Sequence, residues 1–237
     1  MNKTLSIVIP VWNKFNFTKS CLKDLTQLSN EHEIIIVDNH STDETQSALE
    51  GSKEIVYQRN TANLGFAKAC NIGYSLATAP NVLFLNNDIR VKSNHSDWTA
   101  ELIKWSPYAL VGPTMGQLDH NLSFVQEANK VLTGNSYMGG WCLASSKENF
   151  QKLEIPRRPG EEIPDSPLPH TPQIFSEEFG LAYFEDTDLS FRARKLGMQF
   201  MVVDIPVVHF GKQTSKQINT HQLYTRARQI FINKWRK

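Results

Sequence analysis

Three acidic residues in this 237-residue chain stand where a predicted strand ends or a predicted helix begins. Asp38 follows the apolar run 33–37, and Asp88 follows the apolar run 82–85 after two asparagines. Asp186 opens a helix-like segment. In an open parallel sheet, ligands bind beyond the carboxyl ends of the strands, and carboxylates there suit a divalent cation that carries phosphates. These residue types therefore indicate an enzyme that acts on a phosphate-bearing substrate.

The elements that must position these residues alternate along the first 90 residues. Short apolar runs predict strands at 5–9, 33–37, 55–57 and 82–85, with Pro10 ending the first. Helical spacing of apolar residues predicts helices at 17–28 and 65–77. A third helix is expected to begin at Ser41, with Glu44 completing a capping box. Alternating strands and helices predict βαβ units and a parallel sheet.

The second half of the chain is less regular. It carries predicted strands at 109–112, 199–203 and 207–208, a hairpin at 117–126, a helix at 186–196 and a basic helix at 219–237. Six of the eleven prolines fall within 154–176, which excludes a helix or a central strand there. We interpret this segment as a long loop, either a lid over a substrate site or an insertion without a fixed structure.

Composition narrows the class of protein. A net charge of +1 does not favour nucleic acid as a partner, and 40% hydrophobic with 21% charged residues is typical of globular domains. The three cysteines lack the spacing of a disulfide framework or a zinc site. We find no apolar run of about 18 residues and no signal-peptide pattern. The chain is therefore expected to be cytoplasmic.

Five segments, taken in order, resemble the family 2 inverting glycosyltransferases. They are IVIPVWN at 7–13, VDNHSTD at 37–43, NLGFA at 63–67, LNND at 85–88 and FEDTDL at 184–189. The resemblance implies a single GT-A domain over 1–237, an α/β fold with a mainly parallel sheet flanked by helices. It implies a nucleotide-binding half at 1–90 and an acceptor and catalytic half at 91–237. The subgroup it resembles contains bacterial rhamnosyl- and galactosyltransferases of surface-polysaccharide assembly, in the cell envelope.

The resemblance also implies a set of residues that bind a UDP- or dTDP-sugar. Asp38 would accept a hydrogen bond from N3–H of the base, which suits an ionised carboxylate because it can only accept. The stretch 63–68 would close over the base and ribose, with Lys68 near the base or the phosphates. The implied nucleotide-binding residues are Pro10, Val11, Asn13, Asp38, Asn39, Asn63, Lys68 and Asn87.

The segment 86–88 occupies the place of the family's D-x-D motif, and its first position is Asn86. The resemblance implies that Asp88 binds Mg²⁺ or Mn²⁺ and that His209 completes the metal site. Mg²⁺ is commonly held by one or two carboxylates together with substrate phosphates. An imidazole ligand would favour Mn²⁺.

Asp186 matches the general base of the family's E-D motif. A carboxylate there could take the proton of an acceptor hydroxyl that attacks the anomeric carbon with inversion. Glu185 would bind acceptor hydroxyls or orient Asp186, and Trp141 would either stack on an acceptor sugar or fill the core. The acceptor would be a glycan or a lipid-linked molecule.

Two alternatives belong to other functional classes. A nucleotidyltransferase would need a glycine-rich loop after the first strand, where this chain has Pro10 to Asn13. A degenerate module that binds nucleotide sugars or glycans without catalysis is supported by Asn86 alone. The apolar face of the basic helix 219–237 would dock on the domain, or else on an anionic membrane surface at the inner face of the membrane.

Overall fold

The computed structural model describes residues 3–26, 28, 31–92, 97–157, 171–211 and 220–236. The strands in these residues are β1 Leu5–Val11, β2 His32–Asp38, β3 Val56–Arg59, β4 Asn81–Leu85, β5 Ile89–Val91, β6 Ala109–Gly112, β7 Met115–Leu118, β8 Phe124–Ala128, β9 Ser136–Met138, β10 Cys142–Ser146, β11 Gln199–Val202 and β12 Val207–His209. The helices are α1 Phe15–Leu25, α2 Thr45–Leu49, α3 Phe66–Leu76, α4 Ala100–Trp105, α5 Lys147–Lys152, α6 Glu185–Lys195 and α7 Thr220–Trp235, with a 3-10 turn at Glu177–Phe179.

The main sheet has seven strands in the order β11-β6-β10-β4-β1-β2-β3. β1 pairs in parallel with both β2 and β4, β2 with β3, and β6 with β11. β10 lies between β4 and β6 and is antiparallel to both. The sheet is thus mainly parallel, and the predicted α/β class is confirmed.

Helices cover both faces of this sheet because its strands alternate apolar side chains between the two sides. On one face Val8 and Phe84 pack with residues of α3, α5 and α6. On the other face Ile7, Ile9 and Leu83 pack with residues of α1, α2 and α4. All five of these side chains are fully buried, so the strand ends on this sheet are held by two close-packed layers.

Two small sheets extend the main one. β5 follows Asp88 directly and pairs antiparallel with β12, with His209 opposite Ile89. β7 pairs with β8 and β9 in a three-stranded antiparallel sheet, which confirms the predicted hairpin and extends it to 115–128. These two sheets carry residues from the second half of the chain to the carboxyl edge of the main sheet.

Helix α7 docks on the domain through an aromatic cluster. The cluster, made of Phe179, Phe184, Phe191, Phe231 and Trp235, has ring centroids 5.0–6.5 Å apart. The described helix runs within the predicted 219–237, of which residues 219 and 237 lie outside the described residues. None of the helices in the described ranges has the length and apolarity to cross a membrane.

Two local expectations are wrong. β1 continues through Pro10 to Val11; pairing with β4 covers only Leu5 to Val8, so the missing N–H of proline faces no partner strand there. The capping box at Ser41 does not form, and α2 begins at Thr45. Ser41 Oγ instead accepts a hydrogen bond from Asn13 N, which ties two loops together.

Two further features concern the proline-rich loop and the first turn of α6. Most of the loop expected at 154–176 lies outside the described residues, which omit 158–170. Asp188 forms an ion pair with Arg192 at 2.9 Å on α6, and its carboxylate is fully buried. Trp235 Nε1 and Lys234 Nζ lie 2.9 Å from the other oxygen of Asp188, so this carboxylate anchors α7 to α6.

Candidate active site

Asp38 ends β2 as a fully buried carboxylate. Its Oδ2 accepts hydrogen bonds from the Tyr57 hydroxyl at 2.6 Å and from Arg59 Nη1, with which it forms an ion pair. Its Oδ1 accepts from Ser41 N at 2.8 Å. Three protein donors therefore hold this predicted base-reading residue, and β3 supplies two of them from the neighbouring strand end.

The loop after β1 is joined to the loop after β2. Asn39 N donates to Val11 O at 2.8 Å, and Thr42 N donates to Asn13 Oδ1 at 2.7 Å. Asn13, Lys14 and His40 have φ values of 56°, 59° and 62°, which non-glycine residues adopt at a cost. The hydrogen bonds between the loops hold these residues in their left-handed conformation. The two loops that are predicted to bind the nucleotide therefore have a defined shape.

Gly65 links the loop after β2 to the segment 180–181, which precedes α6. Gly65 has φ +87°, and a Cβ on it would lie 2.6 Å from Gly180 O. Its carbonyl accepts from Asn39 Nδ2 at 3.1 Å and its N–H donates to Asn63 Oδ1 at 3.1 Å. Lys68 follows as a half-buried residue in the first turn of α3. The predicted residues Asn39 and Asn63 are therefore brought together at Gly65, and Lys68 lies three positions further along the chain.

The three residues after β4 have separate roles. Asn87 Nδ2 donates to Thr18 Oγ1 at 2.9 Å inside the protein. Asn86 Nδ2 and Asp88 Oδ1 lie 3.2 and 3.1 Å from His209 Nε2. The ribbon of β5 and β12 thus brings together the two predicted metal ligands, which are 121 positions apart in sequence.

This donor set is small. Among the described residues, no group of three or more His, Cys, Asp or Glu side chains could hold a metal ion. Asp88 and His209 nevertheless offer one carboxylate and one imidazole next to the Asn86 amide. Such a set fits a divalent cation whose remaining ligands are phosphate oxygens and water.

Trp141 immediately precedes β10 at the same edge. Its ring stacks on His209, with centroids 4.7 Å apart and planes 10° apart. Its carbonyl accepts from Asn86 N at 2.8 Å, and its Nε1 donates to Thr114 Oγ1 and Glu127 Oε1. The antiparallel strand β10 therefore places Trp141 between the metal-ligand pair and the three-stranded sheet.

Asp186 lies in the first turn of α6. Its Oδ2 accepts from Gly140 N at 2.9 Å, and its Oδ1 accepts from Thr187 N at 2.7 Å and from the Thr187 hydroxyl at 3.2 Å. A Cβ on Gly140 would lie 2.9 Å from Asp186 Cβ, so this approach requires glycine. Burial raises the pKa of Asp186, and the N–H donors of Gly140 and Thr187 oppose that rise.

The residues just before α6 have an uncommon backbone. Tyr183 and Phe184 have φ values of 79° and 68°, and bulky residues rarely adopt this region. Phe184 is held by ring contacts with Tyr224 and Phe231 of α7. Packing of α7 therefore fixes the turn from which Glu185 and Asp186 project.

Glu185 is 8% exposed, and its Oε2 has no hydrogen-bond partner among the described residues. Burial, and secondarily the negative charge of Asp186, raise the pKa of Glu185 to about 8. A buried carboxyl group without a counter-ion holds its proton more strongly.

One cleft of about 910 Å³ joins these groups. Asn86, Trp141, Glu185, Asp186 and His209 all line it. The wall also contains Phe124, Glu127, Tyr137, Tyr183, His221 and Tyr224. The predicted catalytic residue, the predicted acceptor residues and the predicted metal ligand His209 thus share one cavity, whereas Asp88 and the predicted base-reading residue Asp38 are not part of its wall.

Sequence reasoning missed several of these residues. Arg59 could have been found, because it ends the strand next to Asp38 and strand ends gather at one edge. Gly140 belongs to a glycine pair that is visible in the sequence, but its contact with Asp186 depends on a strand and a helix 46 positions apart. Glu127 and Tyr137 carry no sequence signal, since the three-stranded sheet alone brings them to the cleft.

Comparisons with known proteins identify a family for this chain. The chain matches the model of the family described as glycosyl transferase family 2 over residues 6–139. The matched range contains Asp38, Asp88 and Gly139 at its end, but not Trp141 or Asp186.

Three known proteins are similar to this chain. An uncharacterized glycosyltransferase of Haemophilus influenzae is 29% identical over 161 residues, which cover 63% of this chain and 55% of that protein. Glycosyltransferase GlyG of Streptococcus pneumoniae is 27% identical over 101 residues, covering 40% and 33%. The mannosyltransferase PcManGT of Pyrobaculum calidifontis, solved with GDP-Man and Mn²⁺, has a TM-score of 0.57 at 15% identity, covering 86% and 55%. The chain spans 55% or less of the length of each of these proteins.

Proposed function

Because this chain belongs to glycosyl transferase family 2, we propose that it transfers a sugar from a UDP- or dTDP-sugar to an acceptor hydroxyl with inversion. The chain is a glycosyltransferase with the GT-A fold. The observation that carries the proposal is the Asp186 carboxylate, which lines the same cleft as Asn86 and His209. The acceptor is a glycan or a lipid-linked molecule.

We assign the donor nucleotide to the carboxyl edge of β1 to β4, within a nucleotide-binding half at 1–90. A carboxylate offers about four acceptor positions, and Asp38 uses three of them on Ser41, Tyr57 and Arg59. The fourth, on Oδ1, suits the N3–H of uracil or thymine. Because Asp38 is fully buried, this contact requires the loop after β2 to move aside.

Asp88 and His209 would hold a divalent cation, and the diphosphate of the donor would supply further ligands. A divalent cation at this place would stabilise the negative charge that develops on the leaving nucleoside diphosphate. The Asn86 amide in the first position leaves the site with one acidic ligand, so it binds the cation together with the nucleotide. Both Mg²⁺ and Mn²⁺ fit this set.

Asp186 acts as the general base. Its Oδ takes the proton of the acceptor hydroxyl as that oxygen forms a bond to the anomeric carbon, and the bond from this carbon to the diphosphate oxygen breaks. Gly140 N–H and Thr187 hold the carboxylate in place. A fixed base at this point keeps the attacking oxygen in line with the breaking bond.

The acceptor occupies the part of the cleft lined by Trp141, Glu185 and the three-stranded sheet, within an acceptor half at 91–237. Aromatic rings bind the apolar faces of sugars while carboxyl groups pair with their hydroxyls. Trp141 provides a half-buried ring, and the Glu127 carboxylate that accepts from its Nε1 provides the carboxyl group. The place of action is the cytoplasmic side of the cell envelope, in surface-polysaccharide synthesis, where exposed basic residues of α7 would contact anionic lipid.

A binding module without catalysis is the second candidate. Asn86 favours it, because the first acidic residue of the metal motif is replaced. A binding module has no need of a carboxylate held by Gly140 and Thr187 at a cleft wall. The transferase therefore accounts for more of the observed contacts.

Nucleotide release by the purified protein tests the transferase. UDP- and dTDP-sugars would be screened with Mg²⁺ or Mn²⁺, and GDP-mannose would be added because a structural neighbour was solved with it. We expect cation-dependent release of UDP or dTDP that Asp186→Asn abolishes and that Glu148→Gln, a substitution on the exposed surface of α5, leaves unchanged. Nucleotide-sugar binding by calorimetry, without release under any condition or with any sugar acceptor, would instead support the binding module.

A further inference from the structure

Two neighbouring carboxyl groups on α6 have unlike surroundings. Asp186 has three donors on its two oxygens, namely Gly140 N, Thr187 N and the Thr187 hydroxyl. Glu185 is buried, with 8% of its surface exposed. Its Oε2 is shielded from solvent and has no hydrogen-bond partner in the described part of the chain. Hydrogen bonds from N–H and O–H groups stabilise an ionised carboxylate, so the two groups are not equivalent.

The surroundings of Glu185 offer no compensating positive charge within the described ranges. Burial and the charge of Asp186 both raise its pKa, and one backbone N–H opposes them. On α3, the buried thiol of Cys70 is the titratable group close to Glu185, whose negative charge contributes to raising the pKa of that thiol. The other titratable groups on the cleft wall are Glu127, Tyr137, His209, His221 and Tyr224.

Two adjacent carboxyl groups in a partly dry cleft seldom ionise together. The proton belongs on the member with fewer donors, because its ionised form is stabilised by one backbone N–H only. This member is Glu185, and Asp186 is left as the carboxylate. The direction of the pKa shift of Glu185, to about 8, agrees with this distribution.

We propose that Glu185 is a neutral carboxylic acid in the working enzyme and donates its proton in a hydrogen bond to a sugar hydroxyl oxygen of the substrate. The proposal rests on the proposed transferase function and assigns a donor to a residue that would otherwise be counted as an acceptor of hydrogen bonds. No bond is broken in this contact, and the proton stays on the carboxyl group. Because Oε2 is shielded from solvent in the structure, the Glu185 side chain must rotate towards the cleft to make this contact. The hydroxyl belongs to either the transferred sugar or the acceptor sugar.

The hydrogen bond has a purpose that an ionised group could not serve. A second carboxylate next to Asp186 would repel the charge that Asp186 needs as a base. A neutral acid instead binds a hydroxyl oxygen and leaves Asp186 as the sole proton acceptor of the pair. The cost of burying an unpaired polar oxygen is then offset when substrate fills the cleft.

Infrared difference spectroscopy tests the protonation state without any turnover. The carbonyl stretch of a protonated carboxyl group would be compared between the parent protein and its Glu185→Gln variant, with Glu148→Gln as a control on the exposed face of α5. We expect a protonated band at pH 7 that is lost in Glu185→Gln, kept in Glu148→Gln and lost in the parent protein as the pH passes about 8. Absence of that band at pH 6 would overturn the proposal even if the protein is an active transferase.

Kinetics test the hydrogen bond. An amide can also donate, so Glu185→Gln should keep activity within about threefold at pH 7, while Glu185→Ala should lose about tenfold. The alkaline decline of kcat/KM near pH 8 should be present in the parent and absent in Glu185→Gln. A rise in KM for the donor or for the acceptor in Glu185→Ala identifies which sugar is bound. A Glu185→Gln variant as impaired as Glu185→Ala would overturn the donor role.

Discussion

The nucleotide edge, at the carboxyl ends of β1 to β4, and the catalytic wall, formed by 139–141 and 183–187, are built differently. At the nucleotide edge, Asp38 pairs with Arg59 and Asn87 with Thr18, while Asn60 Oδ1 has no partner among the described residues. At the catalytic wall, Glu185 Oε2 lacks a partner among the described residues, and Gly140 contacts Asp186 closely. The buried carboxylate of the first region is thus paired with a cation, and the buried carboxyl group of the second is not.

The two regions should respond differently to substitution, one mainly in stability and the other mainly in activity. Residues of the nucleotide edge complete each other's hydrogen bonds, so removing one leaves a buried group unpaired. Residues of the catalytic wall are held by packing of α7 on the turn before α6, and Gly140, Glu185 and Asp186 line the cleft. Substitutions at the first region should therefore lower stability most, and substitutions at the second should lower activity most.

Asp186→Asn should give the largest effect. The amide keeps the size of the side chain but cannot accept the proton, so we expect kcat to fall about 10²- to 10⁴-fold. The amide has one oxygen, so it can keep the hydrogen bonds from Thr187 but places its NH2 group against Gly140 N–H, and we expect a loss of about 1–2 kcal/mol in stability. Nucleotide release at saturating donor measures the loss of activity, and a variant that remains folded at the assay temperature shows that this loss is chemical. A variant unfolded at the assay temperature would place Asp186 among the stability residues instead.

Gly140→Ala should give the second-largest loss of activity. Its Cβ would lie 2.9 Å from Asp186 Cβ, and displacing a base by about 1 Å can cost about 10²-fold in rate. We expect lower kcat with an unchanged KM for the donor. The matched control is Gly51→Ala, since a Cβ on Gly51 would have no described neighbour within 4 Å but would sit on a backbone with φ +83°; it should cost stability and spare kcat. Equal kcat losses in both variants would contradict the positioning role.

Arg59→Met should act on stability. The Asp38 carboxylate is fully buried, and Arg59 is 22% exposed. Breaking a buried pair costs about 3–5 kcal/mol, and we expect about 2–3 kcal/mol here because the arginine is partly solvated. Urea unfolding measures the loss. Lys152→Met, which breaks an exposed pair on α5, should leave the midpoint unchanged, and a similar shift in both would contradict the assigned importance of the Asp38 pair.

The stability of the protein should depend on pH through Glu185 of the catalytic wall. Its folded pKa of about 8 exceeds the ordinary value of 4.5, so the stability this group contributes is present below pH 4.5 and is lost as the pH rises to about 8. We expect the stability of the parent protein to fall relative to that of Glu185→Gln between about pH 5 and pH 8, by at most about 1.4 kcal/mol per pH unit, which corresponds to about 3–5 °C in melting temperature. Parallel curves for the two proteins would show that Glu185 ionises normally.

Trp141→Phe should give the smallest effect. The phenyl ring keeps its place over His209, but the hydrogen bonds from Nε1 to Thr114 and Glu127 are lost. Each such bond contributes about 1 kcal/mol, so we expect a change of about tenfold or less in acceptor KM and no change in donor KM. Trp141→Ala, which also removes the stack, serves as the stronger comparison. A change in donor KM alone would assign Trp141 to the nucleotide edge.

The nucleotide half can be read from sequence because its strands and helices follow simple periods. Apolar runs that end at Asp38 and Asp88 predict the parallel strands and the edge where they meet, and the structure has both. Proline cannot donate to a strand partner, which predicts an end of β1 at Pro10, yet β4 stops pairing two residues earlier and the strand continues. The Ser41 hydroxyl could cap a helix, yet Asn13 N takes it instead.

The sequence determined which residue types could do chemistry and at which strand or helix end each would lie. It did so because strand and helix periods and end signals act over a few positions. The tertiary structure decided that His209 meets Asp88 across 121 positions, that Gly140 touches Asp186, and that Glu185 lies buried with an oxygen unpaired among the described residues. Those contacts depend on β10 being inserted antiparallel and on α7 docking over α6, and packing between distant segments leaves no period in the chain.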